Sequence, residues 1–223
     1  ELWLIQANAH LAMHEEDRAL EVLVVAGRLG VLRPEGLLTT GDLYYNKGLY
    51  EKAINCYDAA FETGTIGPQS ALRCAEALFH VGRLDAASRY LARAQERVLD
   101  RPAEALLLGG RIAEARSDLA SARKAYEATL EHDPLNGEAL LALGELCWRT
   151  GDHERATLTF ERASRVEGHS ARALVLLAQM QVELGRYAQA VEHLEAAQEA
   201  NPSRRLARYL EDVRRLAAYA EAP

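Results

Sequence analysis

The chain contains few of the residues on which disulfide frameworks, metal centres and membrane spans depend. It has three cysteines among 223 residues, Cys56, Cys74 and Cys147, and they show no metal-ligand spacing. An odd number of cysteines does not suggest a disulfide framework, so we expect buried free thiols, although Cys56 and Cys74 lie on helices that could approach each other. No run of about 18 apolar residues is present, which predicts no direct insertion into a membrane.

Basic residues are fewer than acidic ones, and lysine occurs only at positions 47, 52 and 124. Lysine and arginine together number 26 against 33 acidic residues, which gives a formal net charge of −7. Binding to a phosphate backbone depends on an excess of basic side chains, so nucleic acid is not expected as the main partner. Only six prolines are present, a composition typical of helical protein.

Catalytic and metal-binding signals are weak. His10 and His14 lie one helical turn apart, a spacing that can hold a metal, but Leu11 stands where the zinc-protease motif needs glutamate. Cys147 and His153 are close in sequence, but the turn predicted between them points them apart. We therefore expect no catalytic residue, no metal site and no cofactor. The competing hypothesis is a metal held by the two histidines, or an activity in flanking domains.

The chain instead contains a strict internal repeat. Alanines recur at steps of 34, 34, 35, 34 and 34 residues, namely Ala19, Ala53, Ala87, Ala122, Ala156 and Ala190. Twelve positions before each alanine lies another small residue: Ala7, Gly41, Ala75, Gly110, Gly144 and Ala178. Seven positions after it lies a third, which is alanine except at Thr129. A fixed period of this kind is typical of a stack of similar units.

Each unit is interpreted as two short antiparallel helices. Apolar residues recur at three- and four-residue spacing in both halves, which predicts helices and not strands. The turn residue between the halves is glycine in four units, and glycine accepts the left-handed conformation that a β-carbon resists. His14 and Ser117 replace it in the other two units. The small residues would let the two helix backbones approach closely, because protein cores are close-packed.

This pattern resembles the tetratricopeptide repeat, and the resemblance covers almost the whole chain. Trp3, Tyr44, Tyr57, Tyr126 and Phe160 take the places of the family's packing aromatics, and Pro134 and Pro202 close two of the units. The resemblance implies an all-α, right-handed α-solenoid of antiparallel helix pairs. We place six repeats at residues 1–33, 34–67, 68–102, 103–136, 137–170 and 171–204, followed by a C-terminal capping helix and tail at 205–223.

The two ends of the repeat array are expected to differ. The C-terminal helix is amphipathic, with Leu206, Leu210, Val213 and Leu216 predicted on its buried face, as the end of a solenoid needs. The other end begins at Glu1 inside a predicted helix and without a methionine. We therefore expect the chain to be part of a longer protein with more repeats upstream. No signal peptide is visible, and the compartment of this soluble chain, cytoplasm or periplasm, is left open.

The resemblance also implies a concave groove lined by the first helix of each repeat. Leucines recur at the fifth place of that helix, aromatics at the twelfth, and carboxylates lie between them. The predicted partner-binding residues are Leu38, Asp42, Tyr45, Leu72, Arg73, Glu76, Phe79, Arg111, Leu141, Glu145 and Trp148. The alternative explanation is that neighbouring repeats cover the leucines, while glutamates favour helix N-termini. Large aromatics on an open face usually anchor a partner.

The sequence therefore predicts a non-enzymatic scaffold that binds a peptide or helix bearing apolar and basic residues. The family's chaperone-tail binders use lysine in the fifth place, where this chain has leucine, so an acidic chaperone tail is not expected. The alternative is a structural arm of a larger protein whose own segment fills the groove. Residues 2–23 and 37–54 also resemble bacterial repeat proteins of TonB-type energy-transduction systems in the cell envelope. The identity of the partner and the oligomeric state are left open.

Overall fold

The computed structural model describes residues 2–97, 99 and 101–220, and these residues form thirteen α-helices with no strand among them. The helices are α1 (Leu2–Ala12), α2 (Glu16–Arg28), α3 (Pro34–Asn46), α4 (Tyr50–Glu62), α5 (Pro68–His80), α6 (Leu84–Gln95), α7 (Pro102–Ala115), α8 (Leu119–His132), α9 (Gly137–Arg149), α10 (His153–Ala163), α11 (Ser170–Glu183), α12 (Tyr187–Ala200) and α13 (Arg204–Ala220). The predicted all-α class is confirmed.

The chain divides into two compact units, residues 1–100 with α1 to α6 and residues 101–223 with α7 to α13. In both units consecutive helices pack as antiparallel pairs, beginning with α1 and α2 in the first and with α7 and α8 in the second. Successive pairs also contact each other within a unit, as α2 does with α3 and α8 with α9. Each unit is therefore built as an α-solenoid of stacked helix pairs.

A left-handed backbone conformation ends the first helix of every pair. The turn glycines have positive φ, for example 73° at Gly48 and 82° at Gly151. His14 and Ser117 hold the same place in the first and fourth pairs, and they also have positive φ, 58° and 63°. The predicted turn is confirmed at these positions, and two of the pairs make it with a residue that bears a β-carbon, a conformation that costs roughly 1–2 kcal/mol.

The small residues predicted at the helix crossings are buried. Ala19, Ala53, Ala87, Ala122, Ala156 and Ala190 are all 0% exposed. Thr129, which replaces the third alanine of its repeat, is also 0% exposed. Its hydroxyl donates a 2.8 Å hydrogen bond to the carbonyl of Ala125, so the extra polar group has a partner inside its own helix.

The glycines of the first helices have a more specific role than close approach of two backbones. A β-carbon on Gly41 would lie 2.3 Å from Cε1 of Tyr57, sixteen residues later in the paired helix. The corresponding distances are 2.4 Å from Gly110 to Tyr126 and 2.5 Å from Gly144 to Phe160. Glycine is therefore present where the facing residue is aromatic, because the ring occupies the space of its side chain.

The other three pairs solve the same packing problem with a smaller partner. Alanine replaces glycine at positions 7, 75 and 178, and the residue sixteen positions later is leucine in each: Leu23, Leu91 and Leu194. All three leucines are buried, with exposures of 0%, 7% and 0%. Glycine with an aromatic ring and alanine with leucine are thus alternative ways to fill one site, which agrees with the close packing of protein interiors.

The predicted capping helix is α13, which packs against α12. Leu210 and Val213 are 7% and 1% exposed and join Ala178, Ala190 and Leu194 in one cluster. The prediction for Leu216 is wrong, since this side chain is 45% exposed. Ala217, four residues after Val213, is half-buried and lines a small cavity together with the start of α12. Leu216 is one residue earlier than Ala217 and is therefore turned about 100° away from it.

Candidate protein-binding surfaces

The predicted partner-binding residues divide between the two units. Seven lie in the first unit, on α3 and α5: Leu38, Asp42, Tyr45, Leu72, Arg73, Glu76 and Phe79. Four lie in the second unit, on α7 and α9: Arg111, Leu141, Glu145 and Trp148. The chain thus offers two candidate surfaces, which we call the first-unit surface and the second-unit surface.

The fifth-place leucines are part of the core and not of an open groove. Leu38, Leu72 and Leu141 are 7%, 1% and 2% exposed, so the expectation that they contact a partner is corrected. Leu141 belongs to a buried cluster that also contains Leu107 and Leu177 from the preceding and following helix pairs. The side chain at the fifth place therefore packs between neighbouring helix pairs. This agrees with the alternative explanation from the sequence, in which neighbouring repeats cover the leucines.

The three aromatic residues at the twelfth place are half-buried. The rings of Tyr45 and Tyr50 are 5.6 Å apart, centroid to centroid, and those of Phe79 and His80 are 5.8 Å apart. Each ring therefore rests on an aromatic neighbour from the same helix or helix pair while part of its surface stays open to solvent. Such rings can add contact area at a small entropic cost, because their rotamers are already restricted.

Trp148 of the second-unit surface is held by both a ring contact and a hydrogen bond. Its ring meets Phe160 edge to face, with centroids 6.5 Å apart. Its Nε1–H donates a 2.9 Å hydrogen bond to Glu183, one helix pair further along the chain. The polar end of the indole is therefore satisfied inside the protein, and only the ring can offer contact to a partner.

The carboxylates on both surfaces are paired within the chain. Asp42 accepts a 2.7 Å hydrogen bond from the hydroxyl of Tyr57 and contacts of 2.9 and 3.0 Å from the guanidinium of Arg73. In the second unit, Arg111 pairs with Glu138 at 2.8 Å and Glu145 with Arg172 at 3.1 Å. Arginines of one helix pair thus neutralise carboxylates of a neighbouring pair, and these carboxylates of the expected acidic stripe are not unpaired.

A second tyrosine repeats the arrangement around Asp42. The hydroxyl of Tyr126 donates a 2.7 Å hydrogen bond to Glu114, which also pairs with Arg149 at 2.8 Å. Burial, together with the hydrogen bond to the neighbouring carboxylate, raises the pKa of Tyr57 and of Tyr126 well above the ordinary value. Both phenols therefore remain protonated donors. They fix the carboxylates of Asp42 and Glu114 in place.

The ion pairs between helix pairs were missed by the sequence analysis, although the sequence carries a signal for them. The paired residues are 31 positions apart for Asp42 and Arg73, 27 for Glu145 and Arg172, and 35 for Glu114 and Arg149. Opposite charges separated by about one repeat length would have identified them.

The structure shows the surroundings of the two histidines and the three cysteines that were considered for metal binding or catalysis. Nδ1 of His10 lies 2.8 Å from Glu15, and His14 forms the turn described above. Over the described ranges no group of three or more potential ligands could hold a metal ion. All three cysteines are free thiols, and burial raises the pKa of Cys74 to about 12 and that of Cys147 above its usual range. A thiol of raised pKa is a poor nucleophile at neutral pH.

The structure also contains a cleft that the sequence did not predict. It lies in the second unit, between α11 and α13, and its volume is about 560 Å³. Val175, Leu176, Leu206 and Tyr209 provide its apolar lining. Val175 holds the fifth place of α11 and stays half-buried, unlike the leucines at that place in α3, α5 and α9. None of the helices among the described residues is long and apolar enough to cross a membrane.

The stacked helix pairs and the surfaces on their first helices define a class, the helical repeat proteins. Two sequence profiles with the description Tetratricopeptide repeat match the chain, one at residues 38–100 and 107–163 and the other at residues 151–212. The chain belongs to the tetratricopeptide repeat family. Neither profile describes a catalytic family. No curated protein matches the sequence.

Solved structures of other repeat proteins share the fold. The C-terminal part of a TPR repeat-containing protein from Cytophaga hutchinsonii has a TM-score of 0.74 at 14% identity, over 92% of this chain and 84% of that one. pilF of Pseudomonas aeruginosa has a TM-score of 0.66 at 13% identity, over 95% of this chain and 96% of that one. YrrB, described as a TPR protein with an unusual peptide-binding site, has a TM-score of 0.63 at 22% identity, over 77% of this chain and 88% of that one. At these identities the similarity concerns the fold alone.

Proposed function

We propose that the chain is a non-enzymatic scaffold that binds a segment of another protein on the first-unit surface. The observation that carries the proposal is the pair of aromatics at the twelfth place, Tyr45 and Phe79, which are half-buried on consecutive first helices. Proteins of this family bind other proteins or peptides. Half-buried aromatic residues are frequent anchors in such contacts because they contribute large apolar area.

The ion pairs change the partner that we expect. Asp42 is held by Arg73 and Tyr57, so a basic residue of the partner would have to compete with Arg73 for the same carboxylate. Exposed ion pairs contribute only about 0–1 kcal/mol, and exchanging one for another gains little. Apolar side chains that cover Tyr45 and Phe79 would therefore provide most of the affinity, and basic residues would affect mainly the rate of association.

Trp148 is the corresponding anchor that we propose for the second-unit surface. Its indole N–H is already bonded to Glu183, so the contact offered is the exposed part of the ring. A partner would gain area there without leaving a buried donor unsatisfied. Arg111 and Glu145 would then position the partner through their outer atoms, since each is engaged by a residue of its own unit.

Peptide selection against the purified chain tests the proposal. Peptides recovered from a display library would be measured against the wild type and against the Tyr45→Ala/Phe79→Ala variant. We expect the double variant to weaken binding by about 2 kcal/mol or more, as for a true hot spot. The matched control is Tyr219→Ala, which removes an 84% exposed aromatic from α13. Equal affinity of the folded double variant for every selected peptide would contradict the proposal.

The same measurement distinguishes the alternative role as a structural arm. If a segment of the parent protein binds the first-unit surface more tightly than any selected peptide, the natural occupant is part of the same chain. The Tyr45→Ala/Phe79→Ala variant must then release that segment, and circular dichroism must show that the variant is folded.

A further inference from the structure

We infer that the cleft between α11 and α13 is a second recognition site, which accepts a leucine-sized apolar side chain flanked by acidic residues of a partner protein. The inference rests on the proposed function as a protein-binding scaffold and adds a separate site with partner chemistry of the opposite charge. The cleft lies wholly within the second unit. Its volume of about 560 Å³ falls in the range of about 300–1,000 Å³ that is usual for ligand pockets.

The register of α11 explains why a cleft exists here. Arg172, Val175, Leu176 and Gln179 hold the second, fifth, sixth and ninth places of this helix, and all four line the cleft. In the preceding pair the fifth place carries Leu141, which is covered by the core. Here the fifth place carries the smaller valine, and Val175 and Leu176 remain half-buried beside α13.

The lining of the cleft suits an apolar anchor. Val175 and Leu176 of α11 face Leu206 and Tyr209 of α13 across the cleft, and all four are half-buried. They pack at their inner sides against the two clusters that hold α11, α12 and α13 together. An apolar side chain placed between the two helices would remove their remaining surface from water, at about 25 cal/mol per Å² of apolar area.

The charge at the rim selects the residues that flank the anchor. Arg172 and Arg205 line the cleft. Of the carboxylates nearby, Glu145 pairs with Arg172, whereas Glu183 accepts from the neutral indole of Trp148 and keeps its negative charge. Arg205 has no hydrogen-bond or ion-pair partner among the described residues. The rim therefore carries a guanidinium that is not compensated, in a chain whose net charge is −7.

The rest of α13 reinforces this positive charge. The helix contains five arginines against Glu211 and Asp212. Arg214 and Arg215 are paired, with Glu195 at 2.6 Å and Asp212 at 3.7 Å. The three arginines of its first two turns, Arg204, Arg205 and Arg208, have no such pairs within the part of the chain that the structure describes. The unpaired charge is concentrated at the end of α13 that borders the cleft, which favours carboxylates on the partner.

A set of four synthetic peptides tests the inference on the whole chain. The probe has one leucine with glutamates on both sides and blocked termini, so that only side-chain carboxylates can act. The comparison peptides replace the leucine by alanine, the glutamates by glutamine, or the glutamates by lysine. Amide chemical shifts of the isotope-labelled chain report both the affinity and the place of binding. We expect the probe to shift amides of α11 and of the first half of α13, and to bind more tightly than all three comparison peptides.

Arg205→Glu is the decisive variant, because Arg205 is exposed and has no partner to lose. It should weaken binding of the probe by about fivefold or more, because the charge reversal removes one exposed ion pair, which accounts for up to about fivefold, and adds a repulsion. Arg215→Glu is the matched control, since it makes the same charge change on α13 away from the cleft lining, and it should change affinity by less than about twofold. Added salt should weaken binding of the probe but not of the glutamine peptide.

Several results would overturn the inference: no binding of the probe, equal binding of the alanine or glutamine peptide, tighter binding of the lysine peptide, or equal effects of the two arginine variants. The Tyr45→Ala/Phe79→Ala variant separates this site from the first-unit surface. This variant should bind the probe as the wild type does, so failure of the first-unit proposal would leave this result intact. Arg205→Glu should likewise leave binding of the selected peptides to the first-unit surface unchanged.

Discussion

Gly41 of α3 lies so close to the ring of Tyr57 in α4 that a β-carbon on the glycine would be 2.3 Å from Cε1 of the tyrosine. Three of the six helix pairs share this contact, and the other three have alanine and leucine at the same two places. The residue in the first helix therefore determines which residue the second helix can accept opposite it. Each helix pair can be tested by introducing the other combination, glycine with an aromatic residue or alanine with leucine.

Gly41→Ala should destabilise the first unit by about 1–3 kcal/mol, because the ring of Tyr57 has to move to make room for the methyl group. The higher helix propensity of alanine opposes this loss by at most about 1 kcal/mol. The double variant Gly41→Ala/Tyr57→Leu reproduces the combination found at Ala75 and Leu91, and it should recover part of the loss. Urea unfolding of the single and double variants measures the coupling.

Gly67→Ala is the control for that series. Gly67 precedes α5 with φ of −75°, and no atom lies within 4 Å of a β-carbon built on it. Its replacement should therefore change stability by less than about 0.5 kcal/mol. Additive effects of the Gly41 and Tyr57 substitutions would show that the two places are not coupled, and would contradict the interpretation.

Ser117→Gly should stabilise the second unit by about 1 kcal/mol, since glycine adopts the left-handed conformation of this turn without steric cost. The reverse change, Gly151→Ala, alters the corresponding turn of the next helix pair, where φ is 82° and the added β-carbon meets no atom within 4 Å. It should destabilise by a similar amount. Thermal or urea unfolding gives both values, and shifts of the same sign would exclude backbone strain as the cause.

The buried tyrosines should make the protein sensitive to alkaline pH. Burial, followed by hydrogen bonds to carboxylates, raises the pKa of Tyr57, Tyr90 and Tyr126 in the folded state. Above about pH 10 a tyrosine in the unfolded chain loses its proton while the folded one keeps it, so unfolding becomes more favourable as pH rises. Stability is fully retained below that pH. Urea midpoints measured across this window should fall steeply.

Tyr57→Phe, Tyr90→Phe and Tyr126→Phe should each make this decline less steep, because each removes one group whose ionisation is linked to unfolding. Phenolate absorbance followed at the same pH values provides the check. If these tyrosines ionise while circular dichroism still shows the folded protein, the hydrogen bonds to Asp42, Asp58 and Glu114 do not hold their protons.

Two positions three residues apart on α13 test which face of this helix packs against α12. Val213 is 1% exposed and packs against α12, whereas Leu216 is 45% exposed. Val213→Asp buries a carboxylate without a partner and should cost about 3 kcal/mol or more. Leu216→Asp should cost less than about 0.5 kcal/mol. Similar losses for the two variants would show that the contact face of α13 has been assigned incorrectly.

The features that repeat within one helix pair could be predicted from the sequence. The buried alanines at 34-residue steps and the left-handed turn at Ser117 follow from the register of the repeat. The exposure of Leu38, Leu72 and Leu141 depends on how neighbouring pairs stack, and periodicity within one repeat does not contain that information. The limits of the six repeats at residues 1–33 to 171–204 stay a prediction.

The charged residues also separate what one repeat predicts from what depends on its neighbours. The repeat pattern predicts Asp42 on the groove face of its first helix, but the pattern within one repeat does not show its pairing with Arg73, which lies in the next repeat. Leu216 was assigned to the buried face of α13 from its spacing to Val213. Instead the half-buried residue after Val213 is Ala217, which lines a cavity together with the start of α12. Only the position of a neighbouring helix decides whether Leu216 or Ala217 is buried.

The contact between Gly41 and Tyr57 also limits how a protein of this kind can grow. The two residues that must agree in size lie sixteen positions apart, inside a single repeat of about 34 residues. Duplicating a whole helix pair therefore copies a compatible combination with it. A recombination that joined α5, with Ala75, to α4, with Tyr57, would bring a methyl group against an aromatic ring. Lengthening by whole pairs preserves the packing, and exchange of single helices does not.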